Sequence, residues 1–433
     1  MVRHHNAPVD TSMLLFHLLS TFAAFAAASG SDDPLISKYP GLVSWFTSNG
    51  GKIDPRITIG YDDKGIRGMI ASDGIPGGTV LIDCPGSLVV KPEDTGNQCA
   101  HVENIHDHLK AGEQSKWHTY FDFDDSLGSR VPSEWRTDRR AMTELQGLPP
   151  SGQTHRHIEW FRSHCKAGQE PSDLEIRAFK IFLTRAADMG LIPMYDLMNH
   201  HNGKINTRLQ KSDDGGLLVI ALTDIAPNEP IYNTYARSGW ESSVDVFNTY
   251  GFVEDYPQLW QWGDAELDEK NENDPLHHFF RYIGNKLNGE SSDLMTYQPN
   301  SPKYEVLVLS PDIAALFPTK DLVSILGNGQ RSMEEWIDLI DKHHRVLRAS
   351  AVSAMQDSIK NLFETLPTTI EEDKMILASE KYAMEKVARK GRNDTNKADV
   401  VQAVEYRLAF KEALKLAMDI AQKGTFEEDS DEL

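Results

Sequence analysis

"IPMYDLMNHHNG" occupies residues 192–203, an apolar run that gives way to Asn199, His200, His201 and Asn202 just ahead of Gly203. Adjacent histidines suggest a metal site, Asn and His beside a glycine suit an ordinary turn, and a turn that holds a ligand is a third reading. The rest of the chain speaks against the metal. His4-His5, His277-His278 and His343-His344 are further doublets, so a doublet is nothing special here. Neighbouring residues point to opposite faces of a strand, or about 100° apart on a helix, and neither geometry brings two imidazoles to one ion. No carboxylate stands at a ligand spacing such as HExxH. No metal ligand is expected.

Other well-known chemistries lack their signatures. There is no GxSxG elbow for a serine hydrolase. "GYDDKGIRG" (60–68) has glycines but no Lys-Ser/Thr pair, so it is not a phosphate loop, and no GxGxxG marks a Rossmann site. At 433 residues the chain is long enough for two or three domains with real cores. Its formal charge of −21 argues against nucleic acid as the main partner, because phosphate binding needs a basic face. A basic protein or peptide is compatible with it. Only Cys84, Cys99 and Cys165 occur, far apart and without a CxxC pair. That excludes a cysteine-built zinc cluster and leaves an odd thiol in an oxidising compartment.

The two ends bear on that compartment. Arg3 precedes any acidic residue, and "MLLFHLLSTFAAFAAA" (13–28) then runs apolar apart from His17. This is short of the roughly 20 residues that a spanning helix needs. Ala26-Ala27-Ala28 fits an A-x-A cleavage site. The expectation is a signal peptide over residues 1–30 and no stable membrane span in the mature chain; a buried or anchoring helix is the alternative. The acidic tail, 426–433, reads "FEEDSDEL", and Ser430–Leu433 differs from the ER-retention tetrapeptide only at its first position. Together the ends point to the endoplasmic reticulum lumen. A plastid reached through the secretory route is the alternative, but its transit peptide should be acid-poor, and Asp32 and Asp33 follow directly.

Between the ends the chain has three textures. "RITIGYDDKGIRGMIASDGIPGGTVLIDCPGSLVV" (56–90), within a stretch running from 35 to about 98, reads as short strands separated by turns. Residues 99–190 read as helical. In "SDLEIRAFKIFLTRAADMG" (172–190), Ile176, Phe179, Phe182, Leu183 and Ala186 recur at helical spacing, with Ser172 and Glu175 suited to a capping box and Gly190 to a stop. "GLLVIALTDIAPNEPIYNTYA" (216–236) returns to strands. After a polar stretch near 264–275 the pattern is mostly helical, with Ser332/Glu335 and Thr369/Glu372 at capping spacing. The plan is a split β domain over 35–260 with a helical insert at about 99–190, then an α-helical domain over 270–425.

"KGIRGMIASDGIPGGTVLIDCP" (64–85), "FLTRAADMGLIPMYDLMNHHNG" (182–203) and "PNEPIYNTYARSGWESSVDVFNTYGF" (227–252), in this order, resemble the three motifs of SET-domain methyltransferases. The resemblance is to the Rubisco large-subunit methyltransferase-like class, which has a helical insert inside the SET domain and a helical substrate-binding domain after it. It implies an α+β fold: a SET fold of short strands split by a helical insert, followed by an α-helical domain. The chain departs from the family in having Asn228-Glu229-Pro230 for Gly-Glu-Glu, and Ala236 for the glycine after the catalytic tyrosine.

The resemblance implies S-adenosyl-L-methionine as cofactor and a protein substrate bearing an acceptor lysine. Arg67, Gly68 and Met69 match the first cofactor loop, where Gly68 lets backbone approach the ligand. Arg185 matches an arginine that pairs with the ligand carboxylate, and Asn199-His200 the pair that meets its methionine and adenine parts. Phe252 would line the adenine slot and Tyr250 the lysine channel. His201 is an incidental neighbour, while Tyr195 and Asp196 brace the turn. Tyr235 matches the catalytic tyrosine: a phenol beside the methyl orients a neutral amine for in-line displacement at a sulfonium. The expected activity is protein-lysine N-methylation of a non-histone protein. A protein-histidine methyltransferase is one alternative. A catalytically inactive SET-fold peptide binder, suggested by the altered residues at 228–244, is another.

Overall fold

The computed structural model describes residues 34–62, 66–125, 131–137, 139–148, 156–187, 189–235, 242–262, 304–310, 313–318, 349–388 and 395–423. The expected signal peptide, the acidic tail, Ala236 and the Ser332/Glu335 pair lie outside them.

The first element is a helix, α1 (Pro34–Ser48), where the texture suggested strands. Pro40-Gly41 reads as a break, yet Leu35, Tyr39, Leu42 and Phe46 fall on one helical face, and all four are buried. That face outweighs the penalty of an interior proline. Beyond it come β1 (Lys52–Ile53), the hairpin β2 (Ile57–Tyr61) with β3 (Arg67–Ala71), and β4 (Val80–Cys84). The insert follows: α2 (Gln98–Ala111), α3 (His118–Asp125), α4 (Arg139–Glu144), α5 (Arg156–Trp160) and α6 (Asp173–Arg185).

The capping box of α6 is present: Ser172 Oγ accepts from Glu175 N at 3.4 Å, and Ser172 N donates to Glu175 Oε2 at 2.7 Å. Lys166, followed by the Ser172 backbone N–H, holds the Glu175 carboxyl down at about 2. The helix stops at Arg185, earlier than the periodicity suggests. Ala186–Ala187 forms β5 and pairs with β6 (Gly190–Leu191), so Gly190 is a strand residue and not a helix stop. Cys99 and Cys165 form a disulfide across the insert, with Cα atoms 5.3 Å apart; wide sequence spacing concealed this pair. The odd thiol is Cys84, whose burial pushes its pKa up to about 12.

After the insert come β7 (Asn199–His200), β8 (Thr207–Lys211), β9 (Leu217–Ala221), β10 (Tyr232–Asn233), α7 (Ser243–Tyr250) and β11 (Gln258–Trp262). The main sheet has the order β1-β4-β9-β8, all antiparallel. The strand pair β4–β9 thus closes the β domain across the whole insert. β7 and β10 lie parallel, with Tyr232 beside Asn199 and Asn233 beside His200.

The stretch read as helical after 270 also holds β12 (Tyr304–Ser310) and β13 (Ile313–Pro318), which extend β11 into a three-stranded sheet. The β-branched and apolar residues of "YEVLVLS" account for the strand. Helices α8 (Ala349–Thr365), α9 (Ile370–Ala388) and α10 (Thr395–Lys423) complete the described chain. Thr369 and Glu372 cap α9 as expected.

Two apolar cores result. One fills the β domain together with α1 and the insert helices α2, α3, α5 and α6. The other joins Trp135 and Leu145 of the insert to Phe247 on α7, Trp260 on β11, and Tyr406 and Phe410 on α10. Helix α7 therefore carries Phe247 into the second core while its two ends, Ser243 and Tyr250, reach the site.

Candidate active site

Met194 opens the decisive turn with φ at 74°, a strained value for a side chain that is fully buried. Tyr195–Leu197 follow as one 3-10 turn, and Asn199–His200 as a strand. Tyr120 donates its hydroxyl to the buried Asp196 carboxylate, and Asn233 Nδ2 donates to the Tyr195 hydroxyl. Both residues brace the turn, as the sequence suggested.

Asn199 ties the turn to the first motif. Its Nδ2 donates to Arg67 O at 2.9 Å. A Cβ at Gly68 would stand 2.3 Å from that nitrogen, so only glycine admits the contact. Arg67, Gly68 and Met69 lie at the start of β3 and not in a loop; the turn comes just before, where Ile66 N bonds Asp62 Oδ1 at 2.7 Å. The Met69 side chain belongs to the core, and its carbonyl accepts from Ile231 N at 2.9 Å. Met69 can thus meet a ligand through backbone alone. Arg185, at the end of α6, donates Nη1 to Asp196 O at 2.6 Å.

Tyr235 is clasped to this turn at both ends. Its backbone N–H donates to His200 Nδ1 at 3.1 Å and its hydroxyl to Met198 O at 2.9 Å. Burial pushes the phenol above its ordinary pKa; Arg185 partly opposes the rise and Asp196 adds to it. The hydroxyl therefore stays protonated at neutral pH. With its proton on Met198 O, the oxygen keeps lone pairs for a further contact.

The Tyr235 ring lies 4.5 Å from that of Tyr250, which lies 6.2 Å from Phe252. Gly251, at φ 81°, ends α7 with its N–H on Phe247 O at 2.8 Å and lets the chain reverse between these two aromatics. The structure thus brings Arg67, Gly68, Arg185, Asn199, His200, Tyr235, Tyr250 and Phe252 together from three distant stretches.

The two histidines diverge. His200 Nε2 lies 2.7 Å from Glu254 Oε2. His201 Nδ1 accepts from Gly203 N at 3.0 Å, and its ring packs on Tyr232. His201 is therefore a brace and not merely an incidental neighbour. Sequence reading missed Glu254, Asn202 and Ser243, which form a buried polar cluster behind Tyr235. No spacing links them: Glu254 is one carboxylate in "YGFVED", and its partners stand 11 to 54 residues away.

The altered residues at 228–230 act through backbone and a local turn. Asn228, at φ 66°, donates its N–H to Ala71 O at 2.7 Å, Glu229 Oε2 accepts from Ala226 N at 2.8 Å, and Pro230 O accepts from Asn206 Nδ2 at 2.9 Å.

Residues 66–236 match the model of the SET domain family. No curated protein matches the chain in sequence. Among solved structures, Rubisco LSMT bound to AdoMet is similar at 16% identity and a TM-score of 0.53, covering 90% of this chain and 92% of that one. Rubisco LSMT bound to Sinefungin and Monomethyllysine gives 18%, 0.53, 90% and 92%. The SET domain of LSMT bound to MeLysine and AdoHcy gives 17%, 0.53, 89% and 91%. At such identities the likeness is one of fold. The chain carries a SET domain over residues 66–236, in a fold like that of Rubisco LSMT, with a helical insert inside the β domain and a helical region behind it.

Proposed function

We propose that the protein is an S-adenosyl-L-methionine-dependent protein-lysine N-methyltransferase that acts on a non-histone protein in the lumen of the endoplasmic reticulum. The observation that carries the reading is the double clasp of Tyr235, with its backbone on His200 and its hydroxyl on Met198. The residues present suit the cofactor's chemistry. A guanidinium at Arg185 fits a carboxylate, the Asn199 amide keeps polar capacity beyond its bond to Arg67, and the backbone at Gly68 carries no side chain to obstruct approach. The similar solved structures are bound to AdoMet, AdoHcy or sinefungin, and two of them to methylated lysine.

When bound, S-adenosylmethionine supplies an electrophilic methyl group on sulfur. The chain's own residues orient the acceptor. Tyr235, Tyr250 and Phe252 make an aromatic wall, and a wall of that kind favours the neutral amine by desolvation. Tyr235 presents a neutral hydroxyl whose direction Met198 O fixes, so that the amine lone pair can be held in line with the methyl. Such positioning is worth several kcal/mol.

The lumenal part of the reading rests on the terminal segments, and the Cys99–Cys165 disulfide supports it, since such bonds persist in oxidising compartments. A lumenal enzyme meets no chromatin, hence a non-histone acceptor.

The test is incubation of purified protein with labelled S-adenosylmethionine and a cell extract, followed by mapping of the product. Methyl-lysine is expected. Methyl-histidine would move the acceptor, and failure to bind the cofactor by calorimetry would leave a peptide-binding protein. For placement, deleting Ser430–Leu433 should send the protein to the medium and deleting Met1–Ala28 should leave it in the cytosol. Nuclear or plastid staining of the full chain would contradict the lumenal reading.

A further inference from the structure

Glu254 is two residues beyond the last family-like motif and has no role in the expected cofactor or acceptor site, yet its carboxylate bonds His200 of that site and is the hub behind Tyr235. It is 4% exposed. Oε2 faces His200 Nε2 at 2.7 Å and accepts from Asn202 Nδ2 at 2.6 Å, while Oε1 accepts from Ser243 Oγ at 2.5 Å. The far side of the same imidazole is committed as well, since Nδ1 accepts the Tyr235 backbone N–H at 3.1 Å. A neutral imidazole has one N–H and one lone pair. With Nδ1 accepting, the proton sits on Nε2, where the carboxylate receives it. The opposite tautomer would set N–H against N–H at Tyr235 and a lone pair against a carboxylate at Glu254.

We propose that Glu254 is a positioning residue for methyl transfer: it holds His200 in the Nε2-H tautomer, whose Nδ1 pins the backbone of Tyr235 and so sets where the hydroxyl stands. This rests on the methyl-transfer reading of Tyr235. Ser243 and Asn202 fix the carboxylate in turn, and Ser243 opens α7, the helix that ends at Tyr250. The cluster therefore ties both aromatic walls of the acceptor site to one oxygen pair.

Two measurements on the full chain test it. In histidine-15N-labelled protein, with the His200 signals assigned through their loss in His200→Gln, the wild type should show a protonated Nε2 and a bare Nδ1. Glu254→Ala should lose that preference. Glu254→Gln can keep an oxygen toward His200 and Asn202 while Ser243 turns to accept from the amide, so the tautomer should persist. In kinetics, Glu254→Ala should lower kcat at saturating substrates by about tenfold or more, with cofactor affinity changed by less than about threefold. Glu254→Gln should recover most of that loss, which a general loss of stability would not produce. A protonated Nδ1 in the wild type would overturn the proposal, as would wild-type kcat in Glu254→Ala, or a Glu254→Gln variant as impaired as the alanine form. If Glu254→Ala does not fold, the wild-type tautomer and Glu254→Gln decide. An inactive wild-type protein showing the Nε2-H signature would overturn the methyl-transfer reading, and this proposal with it, while leaving the His200–Glu254 pairing itself intact.

Discussion

Two buried polar clusters hold this molecule together, and they are built on different terms. In the helical region Asp373, at the start of α9, accepts from Arg407 Nε at 2.9 Å, Lys411 Nζ at 2.7 Å and Thr368 Oγ1 at 2.7 Å. Arg407 Nη2 lies 2.7 Å from the same carboxylate but off the hydrogen-bond direction, and Nη1 reaches back to Glu144 O on the insert at 2.9 Å. Burial works to raise the Asp373 carboxyl, but hydrogen bonds from Arg407, Lys411 and Thr368 outweigh it and leave it below its ordinary range. For Lys411 burial wins over its partners and lowers the ammonium. Behind Tyr235, by contrast, one carboxylate is met by an imidazole, an amide and a hydroxyl. The first cluster pairs full charges and clamps helices to the insert. The second gathers groups whose protons can be placed, and its use is to orient a tyrosine.

Breaking the clamp should have the largest effect on stability. Asp373→Ala leaves Lys411 buried without a carboxylate and Arg407 with only that of Glu144, a loss of roughly 3–5 kcal/mol, measurable by chemical denaturation. Since the Asp373 pKa is depressed, its contribution is fully present above the unfolded carboxylate range near pH 4 and is lost as pH falls below it. A loss under about 1 kcal/mol would mean that the clamp is solvated. Within the site, Asn199→Ala should weaken cofactor binding by about 1–3 kcal/mol, the cost of a buried hydrogen bond with its partner left bare. His201→Ala should change that affinity little and lower the melting temperature instead, because Gly203 N loses its acceptor. Equal losses of affinity in the two variants would erase the distinction drawn between the histidines. Ser172→Ala should cost about 1 kcal/mol by uncapping α6 and leave cofactor affinity alone, since the cap lies at the opposite end of the helix from Arg185. An affinity loss there would show that the insert and the site are coupled.

What was legible in the sequence follows from range. Local signals held: the capping boxes at Ser172 and Thr369, the strands within 57–84 and at 217–221, and the turn at Tyr195–Leu197 that leads into Asn199-His200 carry their information within a few residues. Tyr235, Tyr250 and Phe252 could be singled out because the motif resemblance spans them. Contacts between distant stretches could not be read. Cys99 meets Cys165, Glu254 meets His200, and β4 pairs with β9 only once the insert has folded between them. Helix α1 was hidden by Pro40, because a breaker in a short window counts for more in sequence than four buried side chains do.

The central claim is that Tyr235, held between His200 and Met198, positions the acceptor amine. Its most direct test is the turnover of Tyr235→Phe at saturating cofactor and substrate, followed across pH beside the wild type. Wild-type rates should climb toward alkaline pH as an amine of ordinary pKa near 10.4 loses its proton, with no downturn from Tyr235, whose raised pKa keeps the phenol protonated. Tyr235→Phe should bind cofactor normally and turn over at least about tenfold more slowly at every pH, a loss of about 1.4 kcal/mol or more in transition-state stabilisation. A Tyr235→Phe variant with wild-type turnover would contradict the account.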